Sequence, residues 1–293
     1  MKTQMMKKLS FLQRSHESHW VGDGFPVRSI FSYDNLGEKL SPFLLLDYAG
    51  PANFPPTTRR LGVGEHPHRG FETVTIVYQG EVEHRDSSGG GGKIGPGDVQ
   101  WMTAASGIVH EEFHGSEFAK RGGPFEMIQL WVNLPQKDKR ARPGYQSITN
   151  AQIPRVELPQ EAGSVRVIAG QYEAASGPAH TFSAMNVWDV RLNAQRRAEF
   201  HLPSGHTTAL FVLKGQIQLP GGELVAEAEL GVLERDGDQV AIDALENTTL
   251  LVLSGKPLNE PIVGRGPFVM NTQAEIQQAF ADYQSGQMGR IVD

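Results

Sequence analysis

The chain has 293 residues and a formal net charge of −6 at pH 7, and this length suits two domains better than one. Charges of both signs are interspersed, so no basic face indicates binding to nucleic acid or to an anionic membrane. The absence of cysteine excludes disulfides, thiolate zinc sites, iron–sulfur clusters and cysteine nucleophiles. Any metal must therefore bind to histidine and carboxylate side chains.

The start of the chain does not resemble a leader sequence. Three lysines precede an apolar stretch of only Leu9 to Leu12, which is too short for the core of a signal peptide. No window approaches the ~18 apolar residues of a membrane span. We therefore expect a cytoplasmic monomer that contacts neither nucleic acid nor a membrane.

Short apolar runs predict β-strands throughout the first half, at residues 27–33, 42–47, 72–78, 81–85, 98–102 and 126–134. Short clusters of glycine, proline and serine separate these runs. The 33 glycines and 18 prolines among 293 residues are a larger share than the roughly 12% that glycine and proline form in average proteins. Many short strands joined by tight turns predict a sandwich or barrel. A charged run at residues 137–144 then interrupts the pattern and predicts a linker, in which we expect side chains such as Lys139 to be solvated.

The second half shows the same theme, with predicted strands at residues 165–168, 186–192, 209–213, 216–219, 239–242 and 248–253. One helix is predicted at about residues 272–285, because Thr272 and Glu275 form a capping box and Gly286 is a typical stop. The predicted domains are thus residues 1–136 and 145–293, and the second domain ends in the helix.

The two halves resemble each other. Thr73–Val82 and Thr208–Ile217 share a strand–turn–strand pattern at an offset of 135 residues, and Gly97-Asp98 resembles Gly237-Asp238 at an offset of 140. The chain is therefore predicted to be internally duplicated.

The stretch from Glu65 to Glu72 carries the first chemical signal. Successive side chains alternate faces along a strand, so His66 and His68 point the same way, and so does Glu72 if the strand continues. In the stretch that ends at Glu112, the same parity places His110 and Glu112 on one face and Glu111 on the other.

Three neutral imidazoles and one carboxylate suit Fe, Ni, Cu, Mn, Zn or Co, whereas Mg and Ca prefer oxygen ligands. A lone histidine is usually an ordinary core or surface residue, but paired spacing favours one mononuclear metal site. Parity alone leaves Glu72 and Glu112 as competing carboxylate ligands. The histidines without paired spacing are expected to be ordinary, namely His16, His19, His84, His114, His180 and His206.

A further group of residues could line an apolar pocket beside the metal or simply fill the barrel core, and the sequence leaves both alternatives open. It comprises Trp101, Met102, Phe125, Met127, Gln129 and Trp131.

Longer strings around these residues resemble the pirin family of bicupins, namely residues 66–74, 95–104, 107–112, 129–134 and 266–272. The resemblance implies an all-β chain of two cupin-type barrels (double-stranded β-helix or jelly roll) in tandem, with a short C-terminal helix. It places the family's iron ligands on His66, His68, His110 and Glu112, and leaves Glu72 beside the site. Fe(II) is accordingly the first choice of metal.

The resemblance also implies quercetin 2,3-dioxygenase-type activity, in which a flavonol or related phenol chelates the metal, loses a proton and reacts with O₂. Glu112 or Glu72 would be the catalytic residue that accepts the proton. The alternative is a metal- or redox-dependent regulator that binds a transcription factor or a metabolic enzyme. A third option is another cupin chemistry on a sugar or other small substrate.

The second half provides an internal comparison. At the two offsets the five ligand-type residues correspond to His201, Pro203, Thr207, Leu250 and Val252. Because four of these cannot replace the original ligands, we expect no matching metal in the C-terminal barrel.

Overall fold

The computed structural model describes residues 5–292, and these residues form mainly short β-strands. The first strands are β1 (Leu9–Arg14), β2 (His19–Val21), β3 (Phe25–Phe31), β4 (Phe43–Phe54), β5 (Gly62–His68), β6 (Phe71–Gln79), β7 (Val82–Asp86), β8 (Gly91–Ile94), β9 (Val99–Thr103), β10 (Ile108–His114), β11 (Gly123–Asn133) and β12 (Gly144–Ile148). The later strands are β13 (Arg155–Glu157), β14 (Gly163–Ala169), β15 (Gln171–Tyr172), β16 (Ala175–Ser176), β17 (Met185–Leu192), β18 (Arg196–His201), β19 (Thr207–Lys214), β20 (Gln216–Gln218), β21 (Leu224–Ala226), β22 (Glu229–Leu233), β23 (Gln239–Ala244), β24 (Thr248–Gly255), β25 (Val263–Arg265) and β26 (Phe268–Met270).

The helices are few and short, which confirms the predicted all-β class. They are α1 (Gly37–Leu40), α2 (Ser116–Arg121) and α3 (Gln273–Gln284), with 3₁₀ turns at Gln136–Asp138, Asn150–Gln152 and Pro159–Glu161. No helix within residues 5–292 is long and apolar enough to cross a membrane.

The chain divides into two compact units, each of which includes a segment from the far end of the sequence. The N-terminal barrel comprises residues 16–38, 43–150 and the chain from Asn259 onward; the C-terminal barrel comprises the described residues up to Ser15, residues 39–42 and residues 151–258. These units differ from the predicted boundaries, which gave each chain end to the barrel nearest in sequence. Strand β1 pairs with the edge strand β22 and so satisfies backbone groups that would otherwise be unpaired.

In the N-terminal barrel, a seven-stranded sheet with the order β12-β9-β6-β11-β4-β3-β2 is accompanied by a four-stranded sheet with the order β5-β10-β7-β8. All of these pairings are antiparallel. Side chains from both sheets share one apolar cluster, which includes Val27, Val77, Val82 and Ile94. The core therefore lies between the sheets, as alternation along each strand requires.

The C-terminal barrel repeats this arrangement strand for strand. Its sheets have the orders β1-β22-β19-β24-β17-β14-β13 and β18-β23-β20-β21. Strands β6 and β19 occupy equivalent places, which confirms the duplication and the offset of 135 residues. The offset of 140 is wrong, because Gly97-Asp98 precedes β9 whereas Gly237-Asp238 precedes β23, the equivalent of β10.

The corrected alignment changes which residues replace His110 and Glu112. His114 pairs with Val82, and in the other barrel Ala244 pairs with Ile217. His114 is therefore equivalent to Ala244. His110 lies four residues before His114 and Glu112 two residues before it, so their equivalents are Val240 and Ile242. Both belong to the apolar core of the C-terminal barrel, so hydrophobic packing occupies the positions of these two ligand-type residues.

The charged run at residues 137–144 is not uniformly solvated. Lys139 is 1% exposed, and its Nζ donates hydrogen bonds to Gly70 O (2.8 Å), Asn133 Oδ1 (2.6 Å) and Val269 O (2.9 Å). Burial lowers the pKa of Lys139 to about 7. The prediction of a solvated side chain is therefore wrong for Lys139, because three oxygen acceptors of the protein replace its water.

The C-terminal segment supports the metal motifs of the N-terminal barrel. Helix α3 begins as predicted, with Thr272 Oγ1 accepting a hydrogen bond from Glu275 N. Its buried face joins an apolar cluster that contains Val109 of β10. Asp282 of the helix pairs with Arg69 at 2.7 Å, next to His68 in the chain.

Candidate metal centre

Three imidazoles meet where β5 and β10 pair. His66 lies directly opposite His110 in the register of these strands, and His68 follows on the same face of β5. One ring nitrogen from each of the three side chains lies within 4.8 Å of the others. The structure therefore brings together the three histidines that the two sequence motifs predicted.

Each ring uses its Nδ1 atom for an interaction inside the protein. His66 Nδ1 lies 2.8 Å from Gly64 O, His68 Nδ1 lies 3.4 Å from Pro267 O, and His110 Nδ1 lies 3.3 Å from His84 Nδ1. The Nε2 atom of His110 is buried without a hydrogen-bond partner. A buried ring nitrogen is costly to leave unpaired, so the arrangement suits a metal ion bound at the Nε2 positions.

The electrostatics favour neutral rings. Burial lowers the pKa values of His68 and His110 well below the usual range of histidine. A positive charge on the neighbouring His66 lowers both pKa values further. Neutral imidazole is the form that coordinates a metal. Two of the three rings are therefore held in the ligand form without any need to lose a proton near neutral pH.

His84 extends the cluster, although its spacing gave no reason to single it out. Its Nε2 lies 2.9 Å from Asp86 Oδ2 and its ring stacks on Tyr145. Since Asp86 accepts the Nε2 proton, His84 Nδ1 carries a lone pair that accepts the Nδ1 proton of His110. This chain of hydrogen bonds leaves the Nε2 lone pair of His110 available to a metal.

Asp86 is itself firmly held. Its Oδ1 accepts hydrogen bonds from Ser88 N (2.8 Å) and Gly90 N (3.0 Å). Burial alone would raise the pKa of Asp86, but the hydrogen bonds from His84 and Ser88 outweigh burial and lower it. The alternation His84-x-Asp86 places both residues on one strand face, but it does not reveal that this strand pairs with the strand that carries His110.

Glu112 joins the site from the side of His84. One of its oxygens lies within 4.8 Å of nitrogens of His84 and His110. Its Oε1 accepts a hydrogen bond from Gln100 Nε2 (2.5 Å) and lies 3.4 Å from Thr75 Oγ1. Glu111 points the other way, as strand parity predicted, and pairs with arginines.

Glu72 does not share the face of His66 and His68. Gly70, at φ +91°, separates β5 from β6, so the strand alternation on which the prediction depended is interrupted. Within β6, Glu72 lies on the face opposite Thr75, whose hydroxyl contacts Glu112. Burial raises the pKa of Glu72 to about 7, although the hydrogen bond that it accepts from Thr103 partly lowers this pKa.

A cavity of about 440 Å³ opens beside the cluster. His66, His68 and Glu112 contribute to its wall, and apolar and polar residues of the seven-stranded sheet and β5 complete it: His19, Val21, Phe25, Val27, Ser29, Leu45, Asp47, Val63, Met127, Gln129 and Trp131. Three of the four predicted ligand residues therefore face the cavity. The fourth, His110, belongs both to the three-histidine group and to the group that contains Glu112.

The cavity decides the alternative that the sequence left open. Met127, Gln129 and Trp131 line it, Phe125 packs in the core between the sheets, and Met102 belongs to a separate apolar cluster. Trp101 lies on the same sheet face as Thr103 and is fully buried. The predicted group was thus a mixture of pocket and core.

Two other histidines have defined places. His19 lies in the cavity wall, and His114 stacks on Phe125 with its Nε2 2.8 Å from Gly24 O. His114 is therefore an ordinary core residue, as expected. His19 is a pocket residue that the sequence did not indicate.

Two antiparallel barrels of the same strand order, one with histidines from two motifs on its inner face, define a two-barrel cupin with a His/Glu site capable of binding a metal. The chain belongs to the pirin family. The Pirin family model matches residues 24–132, and the model of the Pirin C-terminal cupin domain matches residues 187–289.

Known proteins similar to this chain support the assignment. A Pseudomonas aeruginosa protein named "Putative quercetin 2,3-dioxygenase" is 58% identical over 97% of this chain and 99% of its own length. A quercetin 2,3-dioxygenase from Acinetobacter baumannii, known from a crystal structure, is 54% identical in sequence to this chain. The two structures match with a TM-score of 0.96 over 98% of this chain and 100% of the Acinetobacter chain. The nickel(II) complex of the bacterial pirin YhhW from Escherichia coli has a TM-score of 0.64 at 20% identity over 84% of this chain and 99% of its own, and shows the fold alone.

Proposed function

We propose that this protein is a metal-dependent dioxygenase of the quercetin 2,3-dioxygenase type, acting on a flavonol or a related phenol and O₂. The observation that carries the proposal is the convergence of three imidazoles beside a largely apolar cavity. His66 and His68 line that cavity, and His110 is buried with an unpartnered Nε2. The names of the similar proteins from Pseudomonas and Acinetobacter support the same activity.

His66, His68, His110 and Glu112 would hold the metal, for which Fe(II) is the first choice and Ni, Cu, Mn, Zn or Co are alternatives. The donor set of three nitrogens and one carboxylate oxygen suits these ions. When bound, the metal would supply Lewis-acid polarisation of the chelating substrate oxygens and contact with O₂. The ligand residues converge from two strands, so the paired backbone of β5 and β10 fixes their separation.

Glu112 is the residue we propose as proton acceptor. A hydrogen bond from Gln100 engages its Oε1, so Oε2 is the oxygen that would contact the metal and, when it leaves the metal, would accept the proton of a substrate hydroxyl. A positioned carboxylate is a common general base. Glu72 is not given this role, because it lies on the opposite face of its sheet.

The cavity would orient the substrate. Its volume of about 440 Å³ falls within the roughly 300–1,000 Å³ of small-molecule sites. Phe25, Val27, Leu45 and Trp131 supply apolar wall, which excludes water from the aromatic rings and strengthens electrostatic interactions at the ligand end. The regulator alternative has no comparable support in the described contacts.

Metal loading and O₂ uptake test the proposal. Purified protein is stripped of metal, reloaded separately with each candidate ion, and assayed with quercetin. We expect stoichiometric binding of one ion and O₂ uptake that falls at least a hundredfold in His66→Ala and His110→Ala, but not in the control His180→Ala in the other barrel. Uptake that is equal in all four proteins would overturn the proposed activity.

A further inference from the structure

A row of polar side chains crosses the inner face of the seven-stranded sheet. The strand registers align Ser29 with Asp47, Asp47 with Gln129, Gln129 with Thr75, and Thr75 with Gln100. These five positions share one face, because each is opposite the next in its strand pair. Above and below the row on the same face, the cavity wall is mainly apolar.

The row leads to Glu112. Thr75 Oγ1 donates a hydrogen bond to Gln129 Oε1 at 2.9 Å, and Gln100 Nε2 donates to both Thr75 Oγ1 (3.0 Å) and Glu112 Oε1. At the other end, Ser29 Oγ donates to Asp47 Oδ1 at 2.5 Å. The proposed proton acceptor and Asp47 therefore lie at two ends of one polar strip.

Two members of the strip have unused hydrogen-bonding capacity. A carboxylate offers about four acceptor positions, and Asp47 uses one of them for Ser29. Gln129 uses its carbonyl oxygen for Thr75, and no hydrogen bond between described residues engages its two amide N–H groups. Both side chains line the cavity, so the remaining positions are open to a ligand there.

We propose that Asp47 and Gln129 form a second polar subsite, which binds a ring hydroxyl of the substrate apart from the oxygens that chelate the metal. The inference rests on the proposed function and deepens it, by favouring phenols that carry further ring hydroxyls. The carboxylate of Asp47 accepts a hydrogen bond from the ring hydroxyl. The amide of Gln129 donates a hydrogen bond to the oxygen of the same hydroxyl or of an adjacent ring hydroxyl.

The surroundings strengthen this recognition. Burial raises the pKa of Asp47, while the hydrogen bond from Ser29 and the charge of His19 lower it. A carboxylate in an apolar wall makes a stronger hydrogen bond than one in water. A site built around such a group also rejects an analogue without the hydroxyl, because the buried polar groups are then left unpaired.

Binding of two matched ligands tests the subsite. Quercetin and 3-hydroxyflavone share the chelating oxygens, but 3-hydroxyflavone lacks the additional ring hydroxyls. Dissociation constants are measured by tryptophan fluorescence quenching on metal-loaded protein without O₂. The variants are Asp47→Leu, which removes the acceptor, and Asp47→Asn, which keeps the size and the contact with Ser29. Asp34→Asn, an exposed carboxylate of the same barrel, is the control.

We expect wild type and Asp34→Asn to prefer quercetin, and Asp47→Leu to lose about tenfold of that preference, equivalent to about 1.4 kcal/mol, with unchanged binding of 3-hydroxyflavone. Asp47→Asn should lose a smaller part of the preference. An unchanged preference in both variants, or an equal loss of affinity for both ligands, would overturn the subsite. If 3-hydroxyflavone fails to bind wild type, the proposed chelation fails as well, so the two failures are distinguishable.

Discussion

His84 Nδ1 lies 3.3 Å from His110 Nδ1, deep in the N-terminal barrel where neither ring contacts solvent appreciably. The contact fixes which nitrogen of His110 faces the proposed metal, since His84 is itself fixed by Asp86. The first prediction concerns this chain of hydrogen bonds.

Replacing His84 by leucine should weaken metal binding about 10- to 100-fold, the usual cost of losing a partner that orients a ligand. His84→Asn should recover part of the affinity, because its amide oxygen can accept the His110 proton. Competition with a coloured chelator measures the affinity, and His180→Leu serves as the control. Equal affinity in His84→Leu and wild type would show that His110 needs no such support.

Glu72 should make stability depend on pH. Its folded pKa of about 7 lies above the ordinary value of 4.5, so between these values the folded protein binds more protons than the unfolded chain. Stability therefore falls as pH rises through this window, by at most about 3 kcal/mol. Glu72→Gln should remove this dependence.

Urea unfolding of wild type and Glu72→Gln from pH 5 to pH 8 tests the prediction. The two midpoints should lie close together at pH 5 and separate toward pH 8, with the variant more stable. Parallel curves would mean that the carboxyl titrates normally in the folded protein.

The Arg69–Asp282 pair should hold helix α3 in place. Both side chains are largely buried, and loss of one partner leaves a charge unpaired, which costs about 3 kcal/mol. Asp282→Ala should therefore lower the melting temperature and open the C-terminal segment to proteolysis. Metal affinity should also fall, because Pro267 O contacts His68 from the same segment.

The exposed pair Glu117–Lys120 provides the matched control. Glu117→Ala should leave melting, proteolysis and metal binding unchanged, since solvent screens surface ion pairs. A similar response to both substitutions would argue against a special role for Asp282.

Lys139 should contribute more to the stability of the folded protein than the other charged residues of its segment. Lys139→Met removes a donor from three buried oxygen acceptors and should destabilise the protein by about 3 kcal/mol. Lys139→Arg should not restore stability, because a planar guanidinium cannot match three acceptors around one nitrogen. Lys137→Met, two residues away and exposed, is the control in the same thermal melts.

Strand periodicity was sufficient to predict the class of fold, the duplication and the three histidines of the site. It works for His66, His68 and His110 because each motif lies within one uninterrupted strand. It was wrong for Glu72, because Gly70 ends that strand and resets the alternation. The role of His84 depends on the pairing of β7 with β10, a relationship between distant strands that local spacing does not encode.

Charge patterns were less informative for the same reason. A run of lysine and arginine indicates solvent-exposed side chains only when no buried hydrogen-bond acceptors are available to them. Lys139 finds such acceptors in Gly70, Asn133 and Val269. The place of β1 likewise depends on its pairing with the distant strand β22, and the place of α3 depends on the apolar cluster that it shares with Val109. Neither relationship appears in the local sequence.

The exchange of chain ends between the barrels has a consequence for how the protein is made. The ribosome releases residues 16–38 and 43–150 of the N-terminal barrel early, then residues 151–258 of the C-terminal barrel, and only afterwards the segment from Asn259 that completes the N-terminal barrel. A nascent chain thus carries all four proposed ligands before it has the carbonyl of Pro267 or the carboxylate of Asp282. We therefore expect capture of the metal at full strength only after the segment from Asn259 has emerged.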